Sequence, residues 1–163
     1  MKFILLIFLF IGFTLQAGEY CKTPPAKAVC TDEILKEKVD WACKLIESKG
    51  QDAVAEIKKM RFDCCGEPDY VWINTFEDKP IMIMHPIKPM LDGKDLTTNK
   101  DPNGKFLFVE FVNALKKTPS GAFVDYQWTK FGEKDPTPKT SWVKKCKVGS
   151  TDKYWVAGAG SWK

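Results

Sequence analysis

The sequence predicts a single α+β domain, in which helices from the N-terminal side cover one face of a five-stranded antiparallel sheet. Between residues 32 and 60 the apolar residues recur with the 3.6-residue period of a helix. Beyond residue 69, apolar runs of strand length alternate with segments rich in glycine, proline and aspartate. A chain of 163 residues is long enough for one such domain and too short for two ordinary ones.

The first 17 residues are expected to be a secretory signal peptide. Lys2 gives a basic start, residues 3–13 are almost entirely apolar, and Ala17 is a small residue at the expected cleavage point. The apolar run is too short for a permanent membrane span. We therefore expect an exported domain over residues 18–163, periplasmic or secreted, with no membrane span in the mature chain.

Charge and cysteine content exclude several classes of protein. The formal net charge is only +4 and the lysines are dispersed, which argues against a nucleic-acid partner. In an oxidising compartment the six cysteines are expected to form disulfides rather than metal sites. Their spacing fits no zinc template and the chain has one histidine, so we expect no metal and no cofactor.

The disulfide pattern is only partly predictable. Cys30 and Cys43 are thirteen residues apart, and on one helix they would lie roughly 20 Å from each other. A disulfide needs a Cα separation of about 6 Å, so this pair is excluded. For Cys43 the nearest candidates are Cys64-Cys65, while Cys21–Cys30 is a natural local loop and Cys146 is the hardest to assign.

A long helix is predicted to begin after Thr31. Asp32 and Glu33 place negative charge in the first turn, where the helix dipole favours it. Gly50 is expected to end or bend the helix, and residues 52–60 carry a second apolar stripe. The first stripe consists of Leu35, Val39, Ala42 and Ile46.

A β-hairpin is predicted where two β-rich apolar runs, residues 70–73 and 81–84, flank a polar connector. His85 follows the second strand directly. Pro86 ends the ladder because it lacks an N–H. The only histidine is thus delivered to a strand end beside a loop, where binding groups are common.

A second helix is predicted from Asp101-Pro102, since aspartate is a favoured cap and proline a favoured first residue. Its apolar stripe runs from Leu107 to Leu115, and residues 118–121 end it. Strands are then predicted over residues 122–129, 139–147 and 154–161. Their connectors suit sequential antiparallel pairing, and in the first strand Val124, Tyr126 and Trp128 should share a face.

The sequence indicates a binding site rather than a catalytic one. No Gly-x-Ser-x-Gly motif or phosphate-binding glycine loop is present, and oxidised cysteines could not act as nucleophiles. A small anion needs cationic or N–H donors, an orienting hydroxyl and aromatic walls. Residues of these types lie on or near strands of one sheet: His85, Tyr126, Trp128 and, at the expected rim, Lys139.

Several short motifs follow one another along the chain: Tyr70-Val-Trp-Ile-Asn74, Met84-His85-Pro86, Leu91-Asp-Gly-Lys-Asp-Leu96, Asp101-Pro-Asn-Gly104, Gly121-Ala-Phe-Val-Asp-Tyr126-Gln-Trp128, Pro138-Lys139-Thr-Ser141 and Trp155-Val-Ala-Gly-Ala-Gly160. In this order they resemble the single Cache domain of bacterial extracellular sensors, over residues 31–162. The resemblance implies a PAS-like antiparallel sheet of five to six strands, preceded by a long helix. It also implies a pocket for a small ligand, often a short carboxylate.

The resemblance further implies site residues and partners. The residues that match family positions at or near the pocket are His85, Tyr126, Trp128 and Lys139, with Trp72, Asn74 and Met84 as strand residues of unassigned facing. The implied function is that of a sensor without catalysis of its own. Its implied partners are a small organic acid and a membrane receptor or sensor kinase.

Two features depart from the family pattern. Family members usually continue into a second membrane helix and a signalling module, whereas this sequence stops at Lys163, so we expect a solo domain that passes its bound state to another protein. The many cysteines support a rival interpretation, an exported thiol–disulfide or redox-responsive protein that uses Cys64-Cys65. A structural or interaction module with an empty pocket is a third alternative.

Overall fold

The computed structural model describes residues 31–64, 67–130 and 132–163. The side chains of residues 63–68 lie outside the description. The predicted signal peptide, Cys21 and Cys30 also lie outside it. No helix within the described ranges combines the length and the apolar character needed to cross a membrane.

The N-terminal helix is confirmed. Helix α1 (Asp32–Lys49) starts where the Thr31 hydroxyl accepts a backbone N–H of the first turn, as an N-cap does. At Gly50 the backbone takes a positive φ of 58°, which favours glycine, and the helix ends. A single 3₁₀ turn (Gly50–Asp52) leads into α2 (Ala53–Lys59), so the predicted interruption is observed.

A short antiparallel hairpin follows α2. Its strands are β1 (Phe62–Cys64) and β2 (Glu67–Asp69). The sequence predicts no strands in this segment. The hairpin ends at Asp69, and the first strand of the central sheet begins at Trp72.

The central sheet is five-stranded and antiparallel, as predicted, in the order β4-β3-β7-β6-β5. Its strands are β3 (Trp72–Thr75), β4 (Met82–Met84), β5 (Ala122–Thr129), β6 (Pro136–Lys147) and β7 (Tyr154–Trp162). The strands β5, β6 and β7 pair in sequence order, and β7 then returns to the centre beside β3.

The helix predicted to begin at Asp101-Pro102 begins later in the structure. Helix α3 (Leu107–Lys117) begins well after Asp101. The Asp101 carboxylate accepts the backbone N–H groups of Asn103 and Lys105 at 2.9 Å each, and that of Gln127 at 3.1 Å. The prediction was wrong because an aspartate can close a local turn as well as cap a helix. Here it closes the turn and ties it to β5.

The sheet separates two apolar clusters. The helix-side cluster lies beneath α1 and α2 and includes Ile46, Ile73 and Phe123. The cavity-side cluster lies beneath α3 and includes Trp72 and Tyr126. The alternation predicted for β5 is therefore confirmed, since Phe123 and Tyr126 fall in different clusters.

A disulfide joins Cys43 of α1 to Cys146 of β6, with a Cα separation of 5.1 Å. Both cysteines are buried in the helix-side cluster. The sequence had pointed to Cys64-Cys65 as the nearest partners of Cys43, and that interpretation is wrong. The reason is non-local: α1 packs on β6, a contact that no sequence spacing indicates. Cys43 is not linked to Cys30, as the helical spacing predicted.

Candidate functional site

A small cavity lies between the sheet and α3, with a free volume of about 10 Å³. That is about the space one water molecule needs. Most of its wall is aromatic, and among its lining residues only Trp128 is not buried. The lining residues are Tyr70, Trp72, His85, Leu107, Phe108, Phe111, Tyr126 and Trp128.

His85 enters this cavity as a neutral hydrogen-bond donor. Its Nδ1 atom accepts the backbone N–H groups of Ile87 at 3.3 Å and Lys88 at 3.0 Å. An acceptor Nδ1 carries no proton, so the neutral ring carries its proton on Nε2. Burial, helped by the charges of Lys139 and Lys88, lowers the pKa of His85 to about 3. The ring therefore stays neutral at physiological pH.

Lys139 is a buried cation held between a carboxylate and aromatic rings. Its side chain is buried, so the expected rim position is wrong. Its ammonium lies 4.0 Å from the Asp69 carboxylate, 3.6 Å from the Trp162 ring centroid and 4.7 Å from that of Tyr70. In the sheet register Lys139 stands opposite Tyr126. A buried charge with such neighbours is both compensated and positioned.

Tyr126 supplies a buried hydroxyl. Its oxygen lies 2.8 Å from Ser141 Oγ, and burial raises the pKa of Tyr126 well above its usual value, so the hydroxyl keeps its proton.

Gly160 makes room beside Ser141 and Lys139. A Cβ at Gly160 would lie 1.9 Å from Ser141 Oγ and 2.8 Å from Lys139 Cε. The glycine thus lets β7 approach this part of the site.

Only some of the predicted site residues line the cavity. His85, Tyr126, Trp128 and Trp72 line the cavity, and Lys139 lies behind Tyr70 on the same face. Asn74 does not line it but accepts the Trp72 indole N–H at 3.2 Å. Met84 lies in the helix-side cluster, on the other face. It pairs with Ile73, across a register shift in the β3–β4 ladder.

Several residues of the site were missed. Tyr70 is two positions before Trp72 and Ser141 two after Lys139, so strand alternation could have found them. Phe108 and Phe111 belong to the apolar stripe of α3, which the sequence showed only as core. No sequence signal pairs the other missed residue, Asp69, with a lysine far along the chain.

Other parts of the described chain are weaker candidates for a functional site. An open surface cleft of about 570 Å³ lies near Gly50 and Gly149, and it contains none of the predicted site residues. Among the described residues no group of three or more potential metal ligands occurs. The side chains of Cys64 and Cys65, on which the redox interpretation depends, lie outside the description. Convergent buried polar groups distinguish the small cavity as the candidate site.

Comparison with known proteins gives the family. The family model described as the Cache domain matches residues 31–161. A methyl-accepting chemotaxis protein of Pseudomonas putida, McpP, is 36% identical over 114 residues, which are 70% of this chain. The chain spans 19% of the length of that relative.

Solved structures give the same answer. A periplasmic sensor domain of a chemotaxis protein is 34% identical with a TM-score of 0.65, covering 78% of this chain and 91% of its own. A Cache chemosensory domain described for carboxylic acid recognition is 33% identical with a TM-score of 0.67, covering 80% and 91%. A methyl-accepting chemotaxis protein from Vibrio parahaemolyticus is 26% identical with a TM-score of 0.61, covering 80% and 86%. The resemblance stated from the motifs is confirmed: this chain belongs to the Cache domain family and has the fold of its chemotaxis sensor domains.

Proposed function

We propose that this sensor domain binds a small carboxylate in the cavity beneath α3 and catalyses no reaction. One observation carries the proposal: three donors of different chemical type lie on the cavity side of the sheet, two of them on residues that line the cavity and the third, Lys139, behind Tyr70. They are the Nε2–H of His85, the hydroxyl of Tyr126 and the ammonium of Lys139. Donors of this kind, set among aromatic walls, suit an anion that needs charge-assisted hydrogen bonds.

The electrostatic field at His85 also favours an anion. The charges of Lys139, Lys88 and Arg61 all act to lower the pKa of His85. A field that disfavours an imidazolium at this position favours a carboxylate there, because the sign of the interaction reverses. Asp69 offsets part of the charge of Lys139, and its negative charge also acts at Tyr70 and Tyr126.

The size of the cavity limits the ligand. A free volume of about 10 Å³ requires that the walls shift for even a short acid, so long or branched ligands are disfavoured. The similar domain described for carboxylic acid recognition supports the same ligand class. By analogy with the chemotaxis relatives, we propose a membrane receptor or sensor kinase as partner.

A ligand screen on residues 18–163 tests this proposal. Thermal shift with short monocarboxylates, dicarboxylates and amino acids should give the largest rise in melting temperature for a short carboxylate. At a ligand concentration of 100 times Kd the stabilisation should be about 2.7 kcal/mol. Calorimetry should then confirm one site per chain. If no acid binds, or only amino acids do, the proposal is wrong.

Export is a separate proposal. The motivation is the basic start and apolar run of residues 1–17. Mass spectrometry of the cell-envelope fraction should find an N-terminus near Gly18 without a lipid. An intact Met1 on cytoplasmic protein would contradict it.

A further inference from the structure

The cavity has one wall through which a ligand could enter. Among its described lining residues seven are buried, the most exposed being Tyr126 at 6%. Trp128 is the exception, since its side chain reaches solvent. Since the cavity holds about one water molecule, an acid can enter only if a wall moves. Trp128 is the lining residue that reaches solvent, so it is the wall that must move, and its movement also breaks the hydrogen bond of its indole with Tyr70.

Lys88 holds this wall from outside. Its ammonium lies 4.0 Å from the centroid of the Trp128 ring. The other neighbours of the ring, His85, Phe108 and Tyr126, all line the cavity, whereas Lys88 does not. Lys88 is itself half-buried, and burial lowers its pKa. A partly desolvated ammonium over an indole face is a favourable cation–π contact.

The turn that carries Lys88 is fixed by the site itself. The Nδ1 atom of His85 accepts the Lys88 N–H at 3.0 Å. The backbone N–H of His85 is in turn held by the Asp92 carboxylate at 2.7 Å, and Asp92 lies 3.4 Å from the Lys58 ammonium. The backbone at Lys88 is therefore fixed by hydrogen bonds to His85, and its side chain reaches Trp128 from that fixed position.

We propose that Lys88 is a positioning residue that latches Trp128 over the cavity and so sets the rate at which an acid enters and leaves. The inference rests on the proposed function for the ligand it controls. An acid passes when the Trp128 ring swings outward; the inner walls shift to hold the acid, and the ring closes again onto the Lys88 ammonium. Loss of the latch should speed entry and exit together, and exit somewhat more than entry, because the charge of Lys88 also favours an anion at His85.

The first test needs no ligand. The protein is labelled with 5-fluorotryptophan, and the ¹⁹F resonance of Trp128 is assigned from the spectrum of Trp128→Phe. Lys88→Ala should shift or broaden this resonance, and Lys88→Arg should restore it. Lys145→Ala is the matched control, since its ammonium also lies 4.0 Å from an aromatic ring, that of Tyr154. An unchanged Trp128 resonance in Lys88→Ala would overturn the latch.

The second test uses acetate in stopped-flow fluorescence. Lys88→Ala should raise both the association and dissociation rate constants by about threefold to tenfold. In a Trp128→Leu background the same replacement should change neither. A slower association with unchanged dissociation would show electrostatic steering, and a faster dissociation alone would show direct ligand contact. Either result overturns the latch. Failure of acetate to bind the parent protein counts against the proposed function, while the fluorine spectra still decide the latch.

Discussion

The two faces of the central sheet contain different interiors. The helix-side cluster is closed by α1 and α2 and is stapled by the Cys43–Cys146 disulfide. The cavity-side cluster beneath α3 is largely aromatic. On the same side of the sheet lie the buried polar groups of His85, Lys139 and Ser141. Buried polar groups cost stability unless they are compensated, whereas aliphatic packing and a disulfide add to it. The comparison indicates that the helix side is built for stability, whereas the cavity side carries polar groups at a cost in stability, as the proposed binding site requires.

The largest effect should come from removing the disulfide on the helix side. The Cys43–Cys146 link spans 103 residues of sequence. The chain-entropy model gives about 4.7 kcal/mol for a loop of this size. Urea unfolding of the double variant Cys43→Ala/Cys146→Ala should therefore show a loss of free energy of unfolding of roughly 3–5 kcal/mol.

The same variant tests the separation between the faces. Measured at a temperature where it is fully folded, its affinity for the acid found in the screen should equal that of the parent. A weakened affinity with a folded protein would show that the helix-side staple also shapes the cavity. An unchanged urea midpoint would contradict the assignment of stability to this link.

Lys139 should affect both properties, because it is a buried charge within the binding face. Lys139→Met keeps most of the side-chain volume but leaves the buried Asp69 carboxylate without its ammonium neighbour. Breaking a buried pair typically costs about 3–5 kcal/mol of stability. Loss of a charge-assisted hydrogen bond to the acid should weaken binding by roughly tenfold to a hundredfold.

A second variant separates these two effects. In Asp69→Asn/Lys139→Met both charges of the buried pair are gone, so chemical denaturation should show much of the lost stability restored. Calorimetry should show binding still weakened, because the donor is missing. If the double variant regained full affinity, Lys139 would have no direct part in binding the acid.

His85 should make the stability of the domain depend on pH. Burial lowers the pKa of His85 to about 3 in the folded protein, below its usual 6.5. The unfolded chain therefore binds a proton that the folded one does not, and stability falls as pH drops from 6.5 toward 3. Above pH 6.5 this contribution is fully present. Urea unfolding between pH 7 and pH 5, before most carboxylates titrate, should show the decline.

His85→Asn is the matched control. Its amide oxygen stands near the position of Nδ1, so it can still accept the backbone N–H groups of Ile87 and Lys88, but it does not titrate. Its stability should decline less between pH 7 and pH 5 than that of the parent. It also lacks the Nε2–H donor, so binding should weaken by roughly tenfold or more. Equal pH slopes, or unchanged binding, would contradict the assigned role.

Long periodic elements were predictable from the sequence. Helix α1 and strand β5 were found because their apolar periods of 3.6 and 2 extend over many residues. The start of α3 was not predictable, since an aspartate such as Asp101 can either cap a helix or close a turn, and here it closes a turn. Pairings of distant residues were also beyond reach: Cys43 with Cys146, and Asp69 with Lys139, depend on which elements pack together.

The candidate site was predictable in residue type more than in geometry. Strand alternation would place Met82 and Met84 on one face, yet Met82 lies in the cavity-side cluster and Met84 in the helix-side cluster. The cause is the register shift opposite Ile73 and Asn74, where β4 has one residue more than β3 between two successive pairs. A bulge of this kind leaves no mark in composition. His85 was found because a proline after a strand fixes where the ladder ends.

The smallest expected effect belongs to the Tyr126 hydroxyl. Tyr126→Phe keeps the aromatic wall and removes one neutral hydrogen bond, that with Ser141 Oγ at 2.8 Å, which is worth about 0.5–1.5 kcal/mol. If the hydroxyl also orients the acid, affinity should fall by about twofold to tenfold. Tyr126→Phe/Ser141→Ala removes the stranded serine hydroxyl and should recover stability without recovering affinity. Recovery of both would assign Tyr126 to packing alone, and the binding face would then depend on His85 and Lys139.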